Sequence, residues 1–246
     1  MIKISEVIKN GCNLSKEMKE DENHRDRSWE HCYLAFEEYF KQNKEEPTAC
    51  EKDYLCLHLA FYLASFGMYR GSSFLFNRDY KVHIKAINEI MKPEYKKLRA
   101  VKCEDYINDE SLIKDLLSLS SKLRDIYNNI KNSVKNKDAV KNPVSEMLIT
   151  KILMGTFGCV PAFDRFFIKC ARCVGIKSSG VYKKDSLIRI AEYYRDNGNV
   201  FEKLRNDVSE RLGTDYPQMR ILDMCFCTTG AICEKDNGGR CPQNDM

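Results

Sequence analysis

Residues 151–169 read Lys-Ile-Leu-Met-Gly-Thr-Phe-Gly-Cys-Val-Pro-Ala-Phe-Asp-Arg-Phe-Phe-Ile-Lys. They hold the residue types best suited to gripping an anion. Gly155 and Gly158 break an apolar helical pattern, and Pro161 pre-sets the first turn of a new helix. A helix start leaves backbone N–H groups without intrahelical partners, and those groups can hold a phosphate. The N–H groups near Cys159, Ala162 and Phe163 are the predicted donors, with Thr156, Arg165 and Lys169 close in sequence.

Helix, short glycine turn, helix resembles the helix-hairpin-helix element, in which a G-x-G-x-x-A type hairpin grips the DNA backbone. The resemblance covers residues 151–169. Gly158 and Ala162 match the hairpin, while Thr156 or Phe157 stands where a first glycine is often found. Helix-hairpin-helix glycosylases carry a catalytic aspartate well beyond the hairpin, and Asp164 lies far too soon to match it. The resemblance therefore implies phosphate or nucleic-acid binding without catalysis. The same residues also fit a packing role, with both glycines admitting a close neighbour and Asp164 and Arg165 forming local ion pairs.

A second anion nest is readable at Arg70-Gly71-Ser72-Ser73, where an arginine sits beside a glycine and two hydroxyls. Arg70 equally suits the last carbonyls of the preceding helix. His58, inside that helix, reads as a hydrogen-bonded core histidine. If His58, Arg70, Asp164 and Arg165 lined one pocket, they would suit an enzyme acting on a nucleic acid or a phosphorylated small molecule. Cys225, Cys227, Cys233 and Cys241 form the densest thiol cluster, but their spacing lacks the paired C-x2-C knuckles of zinc sites. Cys170 and Cys173 make one such knuckle in mid-helix with no second. No metal or cofactor is expected. Carboxylate pairs such as Glu37 with Glu38, or Asp223 with Glu192, have no accompanying histidine. No Walker loop, dinucleotide fingerprint, H-E-x-x-H or Ser/His/Asp order occurs.

The elements that must carry these groups are helical nearly throughout. Residues 1–27 are polar with weak periodicity. Trp29, Cys32, Tyr33, Phe36, Tyr39 and Phe40 form one apolar face, and residues 53–66 are apolar nearly all round, which predicts a central core helix. Residues 80–91 predict a helix closed by Pro93, and residues 92–106 are basic with no clear apolar face. Asn108 or Asp109 caps a long helix carrying Leu112, Leu116, Leu119, Leu123, Ile126, Ile130 and Val134. Residues 131–142 suit a connection, after which Asn142-Pro143 opens a helix through Met154. Pro161 opens one toward Val174, Asp185 caps one to Asn197, a third spans residues 199–212, and Asp215-Tyr216-Pro217 opens a last one through Cys227. The predicted architecture is all-α. It has a polar segment 1–27, helical lobes 28–135 and 143–228, and a cysteine-containing tail 229–246, unless the whole is one domain.

The formal charge of +4, from 40 basic and 36 acidic side chains, permits a nucleic-acid partner without requiring one. No signal-peptide core is readable at the N-terminus, and Arg70 interrupts the most apolar window, residues 54–76. No membrane partner is expected. Twelve cysteines without a secretion signal point to reduced thiols in the cytoplasm. Two readings follow: a non-catalytic nucleic-acid, phosphate or interaction module, and an enzyme working in a pocket between lobes.

Overall fold

The structure is a computed structural model that describes residues 2–42, 44, 46–71, 73–133, 143–177 and 179–236. It is all-α: helix makes up 73% of it, and no strand occurs among the described residues. Two compact units divide the chain. One comprises Met1–His24, Ala100–Glu110 and Gly158–Met246, and the other Arg25–Arg99 and Ser111–Phe157. Sequence reading expected contiguous lobes. Instead the first unit gathers three separate stretches, and the helix after residue 143 belongs with the elements before it.

The second unit is built on α2 (Arg27–Lys41), α3 (Ala49–Ser65), α4 (Ile84–Ile90), α6 (Glu110–Asn132) and α7 (Glu146–Phe157). Trp29, Phe36 and Phe40 of α2 are fully buried, as their spacing predicts. The Trp29 indole N–H donates to the Met154 carbonyl at 2.9 Å, and Phe40 stacks on Phe157 with centroids 5.4 Å apart. A 3-10 turn, Tyr80–His83, runs into α4. The basic stretch after residue 92 does have an apolar side, since Tyr95 and Leu98 are buried. On α6 the buried stripe runs through Leu116, Leu119, Leu123 and Tyr127, so Ile126 and Ile130 are only half-buried and Val134 lies outside the described residues. Helix α7 begins later than Asn142-Pro143 predicts. Ser145 accepts from the Leu148 N–H at 3.3 Å, placing the start at Glu146, and Asn142 lies outside the described residues.

The first unit joins α1 (Ile4–Glu20), α5 (Cys103–Asn108), α8 (Arg165–Cys173), α9 (Lys184–Asp196), α10 (Gly198–Leu212) and α11 (Gln218–Asp236). The polar N-terminal segment is in fact an amphipathic helix. Val7, Gly11, Ser15 and Met18 of α1 form a buried stripe packed on α10 and α11. Helix α11 runs past Cys227 to Asp236, taking in most of the described part of the predicted tail. It meets α8 at Gly230, where a side-chain carbon would run into the Phe166 carbonyl. That backbone-to-backbone contact brings Phe167 onto Phe226 at 5.4 Å.

Candidate functional site

Helix α3 has a well-defined start. Thr48 accepts from the Glu51 N–H at 3.3 Å, and Glu51 accepts in return from the Thr48 N–H at 2.8 Å, closing a capping box. Lys44 and the Thr48 hydroxyl also donate to Glu51, and the three donors, Lys44 foremost, hold its carboxyl down at about 2. At the other end the Met68 N–H reaches the Leu63 carbonyl at 2.8 Å, and the buried Lys151 ammonium donates to the Phe66 carbonyl at 3.0 Å. Arg70, read in sequence either as part of an anion nest or as a donor to these carbonyls, makes no bond to them. It lies exposed instead, with its guanidinium folded over Gly67.

Between those ends α3 is not the enclosed helix that its composition suggests. Leu55, Cys56, Leu59, Tyr62 and Leu63 are buried, but Tyr54 is 51% exposed, Leu57 52% and Phe61 62%. The exposed positions are Ala49 at the very start and then Cys50, Tyr54, Leu57, Phe61 and Ala64, the last five spaced 4, 3, 4 and 3 residues apart. A residue every three or four positions lies along one side of a helix, the arrangement that packs against another helix. Past the first turn, every exposed position of α3 is apolar. Leu34 on α2 is also 44% exposed. Beside Tyr54 an open cleft of about 210 Å³ is lined by Ala35, Glu38, Tyr39 and Gln42 of α2 and by Glu51 and Leu55.

His58 belongs to this face, not to the core. It is half-buried, edge-on to Tyr54 at 4.3 Å, and partial burial followed by the nearby His31 lowers its pKa. The buried histidine is His83, which sequence reading passed over. Its Nδ1 lies 2.6 Å from the Tyr127 hydroxyl and its Nε2 2.7 Å from the Tyr69 hydroxyl. Burial pushes the His83 pKa down to about 3, so the ring is neutral. Tyr127 is fully buried with no other hydrogen-bond partner among the described residues, so its hydroxyl must donate to Nδ1. Nε2–H then donates to Tyr69, whose own proton points away from the ring. A fully buried imidazole with both nitrogens engaged cannot touch a substrate, so His83 is structural.

At the predicted anion site the protein's own carboxylates take the Ala162 N–H and the first N–H groups of α8. Helix α7 includes Gly155 and ends at Phe157, and α8 starts only at Arg165, so Pro161 opens no helix. A seven-residue buried connection replaces the expected short turn. Gly158 turns the chain with φ +65°, a conformation that favours glycine. The Ala162 N–H donates to Asp223 at 2.8 Å, and the Cys159 carbonyl accepts from the Tyr106 hydroxyl. Asp164 caps α8, accepting from the Phe166 and Phe167 N–H groups at 2.9 Å each. Asp223 also pairs with Arg220 at 2.8 Å, both fully buried. Burial outweighs the Arg220 charge and lifts the Asp223 carboxyl to about 6.

The other predicted residues are placed as follows. Gly155 sits inside α7, where a methyl would come 2.5 Å from the Tyr62 ring, so its role is packing. The Thr156 hydroxyl donates to the Ile152 carbonyl at 2.9 Å. Arg165 is exposed, 3.5 Å from Glu234 and 4.5 Å from the Phe166 ring centre, and Lys169 is half-buried. The Ser73 hydroxyl donates to the Met68 carbonyl at 2.5 Å, and Ser72 lies outside the described residues. His58 and Arg70 fall in one unit and Asp164 and Arg165 in the other. Cys225 is buried against Gly11, while Cys227 lies 3.7 Å from Asp164 and 3.6 Å from Asp223. Cys233 is half-buried and Cys241 lies outside the described residues. Among the described residues no group of three His, Cys, Asp or Glu side chains is placed to hold a metal ion.

No protein-family model, curated protein or solved structure matches this chain. Its function is therefore argued from its own surfaces. Among the described residues no helix is long and apolar enough to cross a membrane. The basic stretch after residue 92 is largely drawn into ion pairs: Lys92 with Glu89 at 2.6 Å, Lys97 with Asp115, and Arg99 bidentate on Glu37 at 2.8 and 2.7 Å. Sequence reading missed the α3 face because an all-round apolar helix gives no clue to which side stays open. It also missed the buried ion pair, although an Arg-x-x-Asp spacing inside an apolar run was a usable sign.

Proposed function

We propose that this protein is a non-catalytic interaction module that receives an apolar helical segment on the exposed side of α3. One observation carries the reading: past its first turn, every exposed position of α3 is apolar, at the spacing of a helix-packing seam. Such a contiguous apolar face on a capped, rigid helix marks a docking site more often than a solvent face. The alternatives lose support from the same geometry. Of the N–H groups expected to grip phosphate, that of Ala162 is bonded to Asp223, and the buried His83 is sealed between two tyrosines. We place the module in a reducing compartment, a reading supported by its 12 cysteines.

The test is fluorescence anisotropy with a labelled amphipathic peptide carrying leucine at 3–4 spacing. Saturable binding is expected, weakened at least tenfold by Leu57→Asp and unchanged by Arg165→Ala. A peptide that binds wild type and Leu57→Asp equally, or neither, ends the reading. Labelled duplex DNA in the same assay should show no binding that Leu57→Asp affects.

A further inference from the structure

We infer that the helix received on this face is α3 of a second copy of the chain, paired antiparallel across a two-fold axis through Leu57. The inference rests on the docking reading above and adds the occupant. Its first support is the order of side chains along the face: Cys50, Tyr54, Leu57, Phe61, Ala64. Read from either end, this is small, aromatic, leucine, aromatic, small. A two-fold interface must be self-complementary, with each residue meeting a counterpart that its own copy meets in return.

The axial positions agree with such pairing. With a rise of about 1.5 Å per residue, Cys50 and Ala64 lie equally far from Leu57, about 10 Å on either side. Tyr54 and Phe61 lie on opposite sides and match to within about 1.5 Å. In the antiparallel pair Leu57 meets Leu57, each Tyr54 ring meets a Phe61 ring, and each Cys50 meets an Ala64. Aromatic pairs of this kind add to simple burial, and the small residues at both ends let the helices approach. Tyr54 also borders the open cleft lined by Glu38, Gln42 and Glu51, so the partner's Phe61 arrives next to unfilled space. Exposed Arg70, beyond the far end of α3, comes toward the end that holds Glu38. Antiparallel helix dipoles favour the same orientation.

The size of the face sets the strength. Aromatic side chains cover roughly 150–250 Å² each, so half-exposed Tyr54 and Phe61 offer roughly 200 Å² together. Leu57 brings the apolar face of α3 to roughly 300 Å² per copy, the scale at which surface patches are often functional. That suits the apolar centre of a standard interface of about 800 Å² per partner. A reversible dimer with a dissociation constant on the order of micromolar is expected.

The experiment is sedimentation velocity of the full chain from sub-micromolar to about 100 μM, under reducing conditions, for wild type, Leu57→Asp and Phe61→Glu. Concentration-dependent dimerisation in wild type is expected. Both variants should stay monomeric throughout, with unchanged circular dichroism. Register is read by oxidising Leu57→Cys, which should give a covalent dimer far faster than wild type, because the native Cys50 faces Ala64 across the axis. A dimer that persists in both variants overturns the inference, and so does a Leu57→Cys chain that cross-links no faster than wild type. If wild type is monomeric at every concentration yet binds the leucine peptide through Leu57, the second copy is excluded while the docking reading stands. If it neither dimerises nor binds, both fall.

Discussion

The connection from Gly158 to Asp164 and the outer face of α3 make opposite use of their side chains. The connection is rich in groups that look available for a ligand, and it spends them internally. Its Ala162 N–H is bonded to Asp223, its Cys159 carbonyl to Tyr106, and the N–H groups of the helix it leads into to Asp164. The face of α3 carries no polar motif, yet Tyr54, Leu57 and Phe61 remain half exposed or more. A buried loop must satisfy its backbone, so polar residues near it are recruited inward. An apolar stripe left in water is the feature that asks for an outside partner.

Three measurements can break or sharpen this contrast. The largest effect is expected for Asp223→Ala, which leaves the Arg220 guanidinium buried without its carboxylate. Such a loss costs about 3–5 kcal/mol. Urea unfolding should show it, and a loss below about 1 kcal/mol would mean that the connection is not closed as described.

The next effect comes from His83, a closed group in the same unit as the open face. Its folded pKa of about 3 lies below the unfolded value of 6.5, so below pH 6.5 the unfolded chain binds the extra proton. His83 therefore contributes a loss of stability as pH falls from about 6.5 toward 3, about 2 kcal/mol between pH 7 and pH 5, against an opposite drift from Asp223, whose raised carboxyl takes up its proton near pH 6 in the folded chain. Unfolding followed by near-ultraviolet tyrosine signals should report it. The conservative variant His83→Gln should flatten the slope, and a slope that survives in it assigns the titration elsewhere. The smallest effect belongs to Leu57→Asp, which should change monomer stability by no more than about 0.5 kcal/mol, because the leucine packs mainly against solvent. A cost above about 1.5 kcal/mol in chemical unfolding would show that Leu57 supports the core and that α3 has no spare face.

Much of the helical architecture was legible because apolar spacing and stop signals are local. Trp29 to Phe40 and Asn199 to Leu212 read correctly from period alone. Starts were less legible: α7 is capped at Ser145, three residues past the predicted Asn142, and α8 at Asp164, three past Pro161. Helix α1 was hidden by its charged majority, since four buried positions in 17 residues are enough to dock it. The candidate site was the least legible part. In α3 buried and exposed positions are both apolar, and only the neighbours brought in by α2, α4 and α7 decide which side is covered. Two residues with recognisable chemistry, Asp164 and Thr156, have their polar groups bonded within the fold. Lys151, which closes the end of α3, reads in sequence as one more lysine.

The packing of α1 on α10 and α11 has a consequence for how the chain matures. The partners of α1 are made some 200 residues later, a delay of roughly 10–40 s at ribosomal speed. For that time Val7 and Met18 have no seat in the nascent chain. The unit spanning Arg25–Phe157, apart from its short excursion through residues 100–110, is synthesised in full before α10 and α11 exist. The order of synthesis makes it the part free to fold first, with α1 closing on α10 and α11 last.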